Sequence, residues 1–139
     1  MDIISITPKL PVRDAGAALA YYAAALGAEV TQRYEHAGAV VFAELRRGAL
    51  AVQVKDGDAV DPAPEPGRRS GVLLDVGTPD PNGLAEAFLA GGGEVVFPMA
   101  DQPYGVRQGR IRDPFGHEWI IGSPNTMTPA QVQAALEDT

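Results

Sequence analysis

Apolar and polar positions along the chain follow two rhythms, and the pair comes round twice. Residues 3–7 (IISIT) are apolar and β-branched, which predicts a first strand. Pro8 and Pro11 interrupt it, and Asp14 is placed to cap the helix AGAALAYYAAALG. Leu19, Tyr22, Ala23 and Leu26 recur there at i, i+3, i+4 and i+7, one helical face, and Gly27 suits the helix end. Tyr22 is read as core and Tyr21 as surface. Short strand-like runs follow at 29–34, 39–45 and 50–54, with turns between them. Residues 55–69 carry three prolines and no apolar period, so they read as a linker.

The order then restarts. A strand is predicted at 71–76. Asn82 is placed to cap a helix carrying Leu84, Ala85, Phe88 and Leu89, which ends in Gly91, Gly92 and Gly93. Strands follow at 94–98, 107–112 and through HEWIIG, and Thr128-Pro129-Ala130-Gln131 opens a last helix with capping-box spacing. Leu19 matches Leu84, and Gly27-Ala28-Glu29-Val30 matches Gly92-Gly93-Glu94-Val95, at a common offset of 65 residues (84 − 19). A repeat of this kind fixes architecture. The fold class is α+β: tandem βαβββ modules forming a curved mixed sheet with helices outside, its concave face suited to a small ligand. Residues 1–139 make one domain, with module one at 1–55, linker 56–69, module two 70–124 and a C-terminal helix at 128–138.

Composition narrows the function. A net charge of −7 argues against nucleic acid, which needs a basic surface, and weakly favours a cationic ligand. The absence of cysteine excludes disulfides, thiolate metal sites and a cysteine nucleophile. No apolar run is long enough for a membrane span and the N-terminus lacks a basic stretch, so a cytoplasmic location is expected. No serine–histidine spacing pairs a nucleophile with a base, and His36 and His117 are read as solvated turn residues. In the DPFG turn, Pro114 fixes φ, Gly116 tolerates positive φ, and Asp113 accepts from turn amides in a structural role.

The duplicated βαβββ unit, Val12-Arg13-Asp14 before a helix ending in Leu26-Gly27, and Asp113-Pro114-Phe115-Gly116-His117 before the last strand together resemble the vicinal-oxygen-chelate superfamily. That superfamily includes glyoxalase I, extradiol dioxygenases, fosfomycin-resistance enzymes and bleomycin-resistance proteins. The stretch YGVRQGRIRDPFGHEW is most similar to its small bacterial branch, which usually has Trp where Tyr104 stands. The resemblance implies a cavity-centred divalent metal in the enzymes, held from the first, fourth, fifth and eighth strands. Those positions fall on Thr7, Gln53, Gly71 and Ile120. One neutral amide oxygen does not hold such an ion, so no metal and no cofactor are expected.

With Ile120 facing the cavity, strand alternation turns Glu118 the same way and sends His117, Trp119 and Ile121 to the helix layer. Ile111 belongs to that layer, so Gln108, Arg110 and Arg112 face inward. The candidate ligand-binding set is Gln53, Tyr104, Gln108, Arg110 and Glu118. Three readings of Arg110 stay open: a bidentate partner for a carboxylate, an ion pair with Glu118, or a solvated charge at the cavity mouth. Tyr104 either stacks on a flat ligand or caps the apolar layer. Lys9 and Lys55 are read as solvated. The expected function is metal-free binding of a small organic molecule, as in antibiotic sequestration, by a C2 homodimer. Two rivals remain. One is a lyase or isomerase of the same fold, metal-dependent or using Glu44, Glu118 or Asp75 as base; the other is an interaction domain with a closed interior.

Overall fold

A computed structural model describes residues 1–69 and 71–138. Ser70, where the sequence places the start of the second module, and Thr139 lie outside the described residues. The chain divides into two compact units, Met1–Arg68 and Arg69–Thr139. Each holds a four-stranded mixed sheet, and the strand orders match: β1-β4-β3-β2 in the first and β5-β8-β7-β6 in the second. The strands are β1 (Lys9–Val12), β2 (Glu29–His36), β3 (Ala39–Arg47), β4 (Leu50–Asp56), β5 (Leu73–Gly77), β6 (Glu94–Asp101), β7 (Arg107–Arg112) and β8 (Glu118–Gly122). Helices are α1 (Ala15–Leu26), α2 (Pro81–Ala90) and α3 (Pro129–Glu137).

The first strand corrects the sequence reading. It runs over Lys9–Val12, after Pro8, while Ile3, Ile4 and Ile6 are exposed and lie outside any strand. Pro11 is compatible with β1 because it is an outer strand paired only with β4. The carbonyls of Pro8 and Val12 accept from Gln53 and Gly57, so Pro11 turns its missing donor away from the ladder. Leu10 and Val12 alternate into the core, where β-branching alone favoured residues 3–7.

Asp14 caps α1 by accepting from the Ala17 amide at 3.1 Å, and Gly27 ends the helix at φ 62°. Asp56, at the end of β4, accepts from the amides of Ala15 and Val40, each at 2.8 Å, and ties the helix start to the sheet. Tyr22 is core as predicted, but Tyr21 is buried too, packed edge-on against it. Ala18, Tyr21 and Ala25 form a second buried row beside Ala15, Leu19, Tyr22 and Leu26, and the small alanines widen the face the helix can bury. Lys55 is likewise not simply solvated. It donates to Asp58 and Asp61 at 2.9 and 2.8 Å, because the chain after Gly57 folds back upon the end of β4.

In the second unit the cap of α2 is Asp80, not Asn82. Pro81 occupies the first turn, Asp80 accepts from the Gly83 amide, and Asn82 instead accepts from Arg107 Nε. Phe88 packs on Trp119 with ring centroids 5.3 Å apart, and both are fully buried. His117 is buried with this layer, where strand alternation placed it, and is not a solvated turn residue. The DPFG turn closes through Gly116 N–H to the Asp113 carbonyl at 3.1 Å. Gly116 sits at φ 96°, so Gly116→Val should cost about 1–3 kcal/mol. Thermal and urea denaturation check this; an unchanged midpoint would count against strain at the turn. The capping box of α3 forms as predicted, with Thr128 and Gln131 exchanging hydrogen bonds.

Candidate functional site

The register of the second sheet lays its side chains out in rows. Leu73, Glu118, Arg112 and Glu94 pair across β5, β8, β7 and β6; Asp75, Ile120, Arg110 and Phe97 form the next row; Gly77, Gly122, Gln108 and Ala100 the third. Trp119, Ile121 and Ile111 are buried on the opposite face, so the strand phase read from their apolar character holds.

A pocket of about 440 Å³ lies within this unit, lined by Phe97, Gln102, Tyr104, Gln108, Gly109, Arg110 and Ile120. Tyr104 donates its phenol hydrogen to Gln108 Oε1 at 2.7 Å. The loop that carries it is pinned at Gly105, at φ 96°, where a Cβ would meet Met127 Cγ at 2.7 Å. Thr126 N–H adds a bond to the Gly105 carbonyl at 3.1 Å. Arg110 lies over the ring of Phe97, 5.3 Å from its centroid.

Glu118 is 1% exposed and faces three arginines. Arg69 binds it as a fork, Nε to Oε2 at 2.6 Å and NH2 to Oε1 at 2.8 Å, while Arg110 and Arg112 stand at 3.9 Å. The Arg69 hydrogen bonds hold the Glu118 carboxyl below its ordinary range; burial opposes this, and the charges of Arg69, Arg112 and Arg110 reinforce it. In the first unit Glu44 is buried and held by Arg46 and Thr31, and its carboxyl is lowered chiefly by the Arg46 hydrogen bond. Both carboxylates are poor proton acceptors near neutrality.

Of the five residues singled out in the sequence, Tyr104, Gln108 and Arg110 line one pocket, and Glu118 adjoins Arg110. Gln53 belongs to the first sheet, half-buried between Lys9 and Glu44 in the ladder. Arg110 lines the pocket, and its ion pair to Glu118 is a long one at 3.9 Å. Sequence reasoning missed Arg69 and Phe97. Phe97 faces Arg110 across β6 and β7, but register shifts on either side of it hide that pairing from simple alternation.

Thr7 precedes β1 and Gly71 precedes β5, while Gln53 and Ile120 lie within β4 and β8. A hydroxyl, an amide, a hydrogen and a hydrocarbon do not fit the metal that the superfamily's enzymes hold at these positions. Among the described residues no three His, Cys, Asp or Glu side chains are grouped to hold a metal ion.

The family model Glyoxalase/Bleomycin resistance protein/Dioxygenase superfamily matches residues 3–121. An uncharacterized protein of Mycobacterium bovis is 29% identical over 141 residues, spanning 95% of this chain and 91% of its own. Among solved structures, TioX from Micromonospora sp. ML1 is similar at a TM-score of 0.68 and 23% identity, covering 86% of this chain and 98% of its own. The fosfomycin resistance protein FosX from Mesorhizobium loti is similar at a TM-score of 0.67 and 16% identity, covering 96% and 99%.

Proposed function

The chain belongs to the Glyoxalase/Bleomycin resistance protein/Dioxygenase superfamily, and from that premise we propose that it binds a small organic molecule without a metal, in the manner of antibiotic sequestration. The observation that carries this reading is the pocket of the second unit. Its wall combines an aromatic and an aliphatic surface, Phe97 and Ile120, with a few fixed polar groups, Tyr104, Gln108 and Arg110. That mixture orients an organic ligand while burying its apolar body. The donor-poor residues at the family's metal positions support binding without metal. The arginine-locked states of Glu44 and Glu118 weigh against a carboxylate base. A fosfomycin resistance protein on the same fold makes antibiotics a reasonable first panel. The same proposal has the protein act as a C2 homodimer in the cytoplasm. No helix among the described residues is long and apolar enough to cross a membrane.

A thermal-shift screen with divalent metals and natural-product antibiotics, with and without EDTA, tests this. A ligand at a hundredfold excess over its Kd should add about 2.7 kcal/mol of stability regardless of EDTA. A metal response erased by EDTA would overturn the metal-free reading. Arg110→Ala should weaken an identified ligand about tenfold or more, read by calorimetric titration. Unchanged affinity would remove Arg110 from the site.

A further inference from the structure

Two guanidinium groups on the face of the second sheet opposite Trp119 and Ile121 are poorly served by the protein. The side chains of Arg110 and Arg112 are only 23% and 24% exposed, yet among the described residues neither donates a hydrogen bond to a protein acceptor. Nε of Arg112 is buried with no partner. Buried donors of a cation seek acceptors, and leaving them unmet is costly. Glu118 does not meet the demand: both of its oxygens are taken by Arg69, at 2.6 and 2.8 Å, and the other two arginines stand off at 3.9 Å.

The charge balance points the same way. Three arginines surround one carboxylate, a local surplus of two positive charges. Asp75 and Glu94 share this face, but both are exposed, and Glu118 alone lies within ion-pair distance of Arg110 or Arg112 among the described residues. The chain as a whole carries −7, which by itself would favour cations. Charges on the outer surface are screened over about 8 Å at physiological salt, whereas the Arg110 guanidinium stands in the pocket wall itself.

We infer that the pocket of the second unit takes ligands bearing an oxyanion, a carboxylate or a group of like geometry, on a flat apolar body. The acid is received by Arg110, which lines the pocket, and Arg112 stands beside it on the same face of β7. The body lies beside Phe97, Ile120 and Tyr104, and Arg110, stacked on the Phe97 ring, joins the two regions. Arg69 matters in a second way: by saturating Glu118 it leaves the donors of Arg110 and Arg112 for the ligand. This inference rests on the small-molecule reading above and narrows its ligand class.

Three probes of one shape separate the inference from that reading: 1-naphthoate, neutral 1-naphthamide and cationic 1-naphthylmethylammonium. Each is titrated calorimetrically at pH 7 into the full chain and into the Arg110→Gln/Arg112→Gln variant, after circular dichroism confirms its fold. The naphthoate should bind the parent about tenfold or more tightly than the amide, and the variant should lose that margin. Should the variant fail to fold, the Arg Nε–H signals of the parent in 15N spectra serve in its place. Naphthoate must then shift them and the amide must not. Equal binding of all three probes, or tighter binding of the cation, overturns the inference and leaves the small-molecule reading intact. Binding of none overturns both.

Discussion

Asp113→Ala should lower stability by about 3–5 kcal/mol, although the residue does not line the pocket of the second unit. Its Oδ1 accepts from the amides of Phe115 and His117 at 2.8 and 3.1 Å, and its Oδ2 accepts from Trp119 Nε1 at 2.9 Å. All of these groups are buried, so truncation strands three donors that water does not reach. The indole is also held against Phe88, so its loss of a partner loosens the contact between α2 and the sheet. Asp113→Asn keeps one acceptor oxygen for the turn amides but sets an NH2 against the indole N–H, and should cost about half as much. Urea denaturation followed by far-UV circular dichroism measures both. A loss under about 1 kcal/mol for the alanine variant would show that the turn does not depend on its carboxylate.

Glu118→Gln carries the second large effect. The amide keeps the shape but leaves Arg69, Arg110 and Arg112 facing one another without a counter-charge. Breaking a buried pair costs about 3–5 kcal/mol, and the 52% exposure of Arg69 brings the expectation down to about 2–3 kcal/mol. The same carboxylate gives stability a pH dependence. Its folded pKa lies below its unfolded one, so its contribution is complete above the unfolded value, about 4.3. It is lost as pH falls through the folded value, in the window below about pH 4. Glu118→Gln should therefore flatten the acid limb of a melting-temperature profile and lower the neutral plateau. A variant with the parent's acid limb would show that Glu118 does not hold its charge by virtue of the arginines.

Local signals in the sequence reached far where the cause was itself local. Asp14, Gly27 and Thr128 end or begin helices through bonds to their immediate neighbours, and the offset between Leu19 and Leu84 announced two modules of the same strand order. The inward face of β7 and β8 was legible because Trp119, Ile121 and Ile111 must leave water, which turns Arg110 and Glu118 the other way. What stayed hidden depends on tertiary position. Pro11 tolerates a strand only because β1 is an outer one, and Tyr21 is buried only because alanines on its row let the helix lie close. Asp80 outranked Asn82 because Pro81 fits the first turn of a helix. Arg69 ends a linker without periodicity, and nothing in such a segment tells which strand its last side chain will meet.

The outer strands of both sheets share a property that bears on behaviour at high concentration. In β1, Pro11 presents no donor; β6 contains Pro98 and has shifted register on both sides of Phe97; β2 is broken by two register shifts and carries Arg33 and Glu35; β5 is five residues long. Each device opposes the docking of a further strand. Amyloid-like stacking and runaway sheet extension are thereby disfavoured in a protein whose β-content is high. Lengthening a ladder is correspondingly disfavoured as a way for a second copy to pair with this chain.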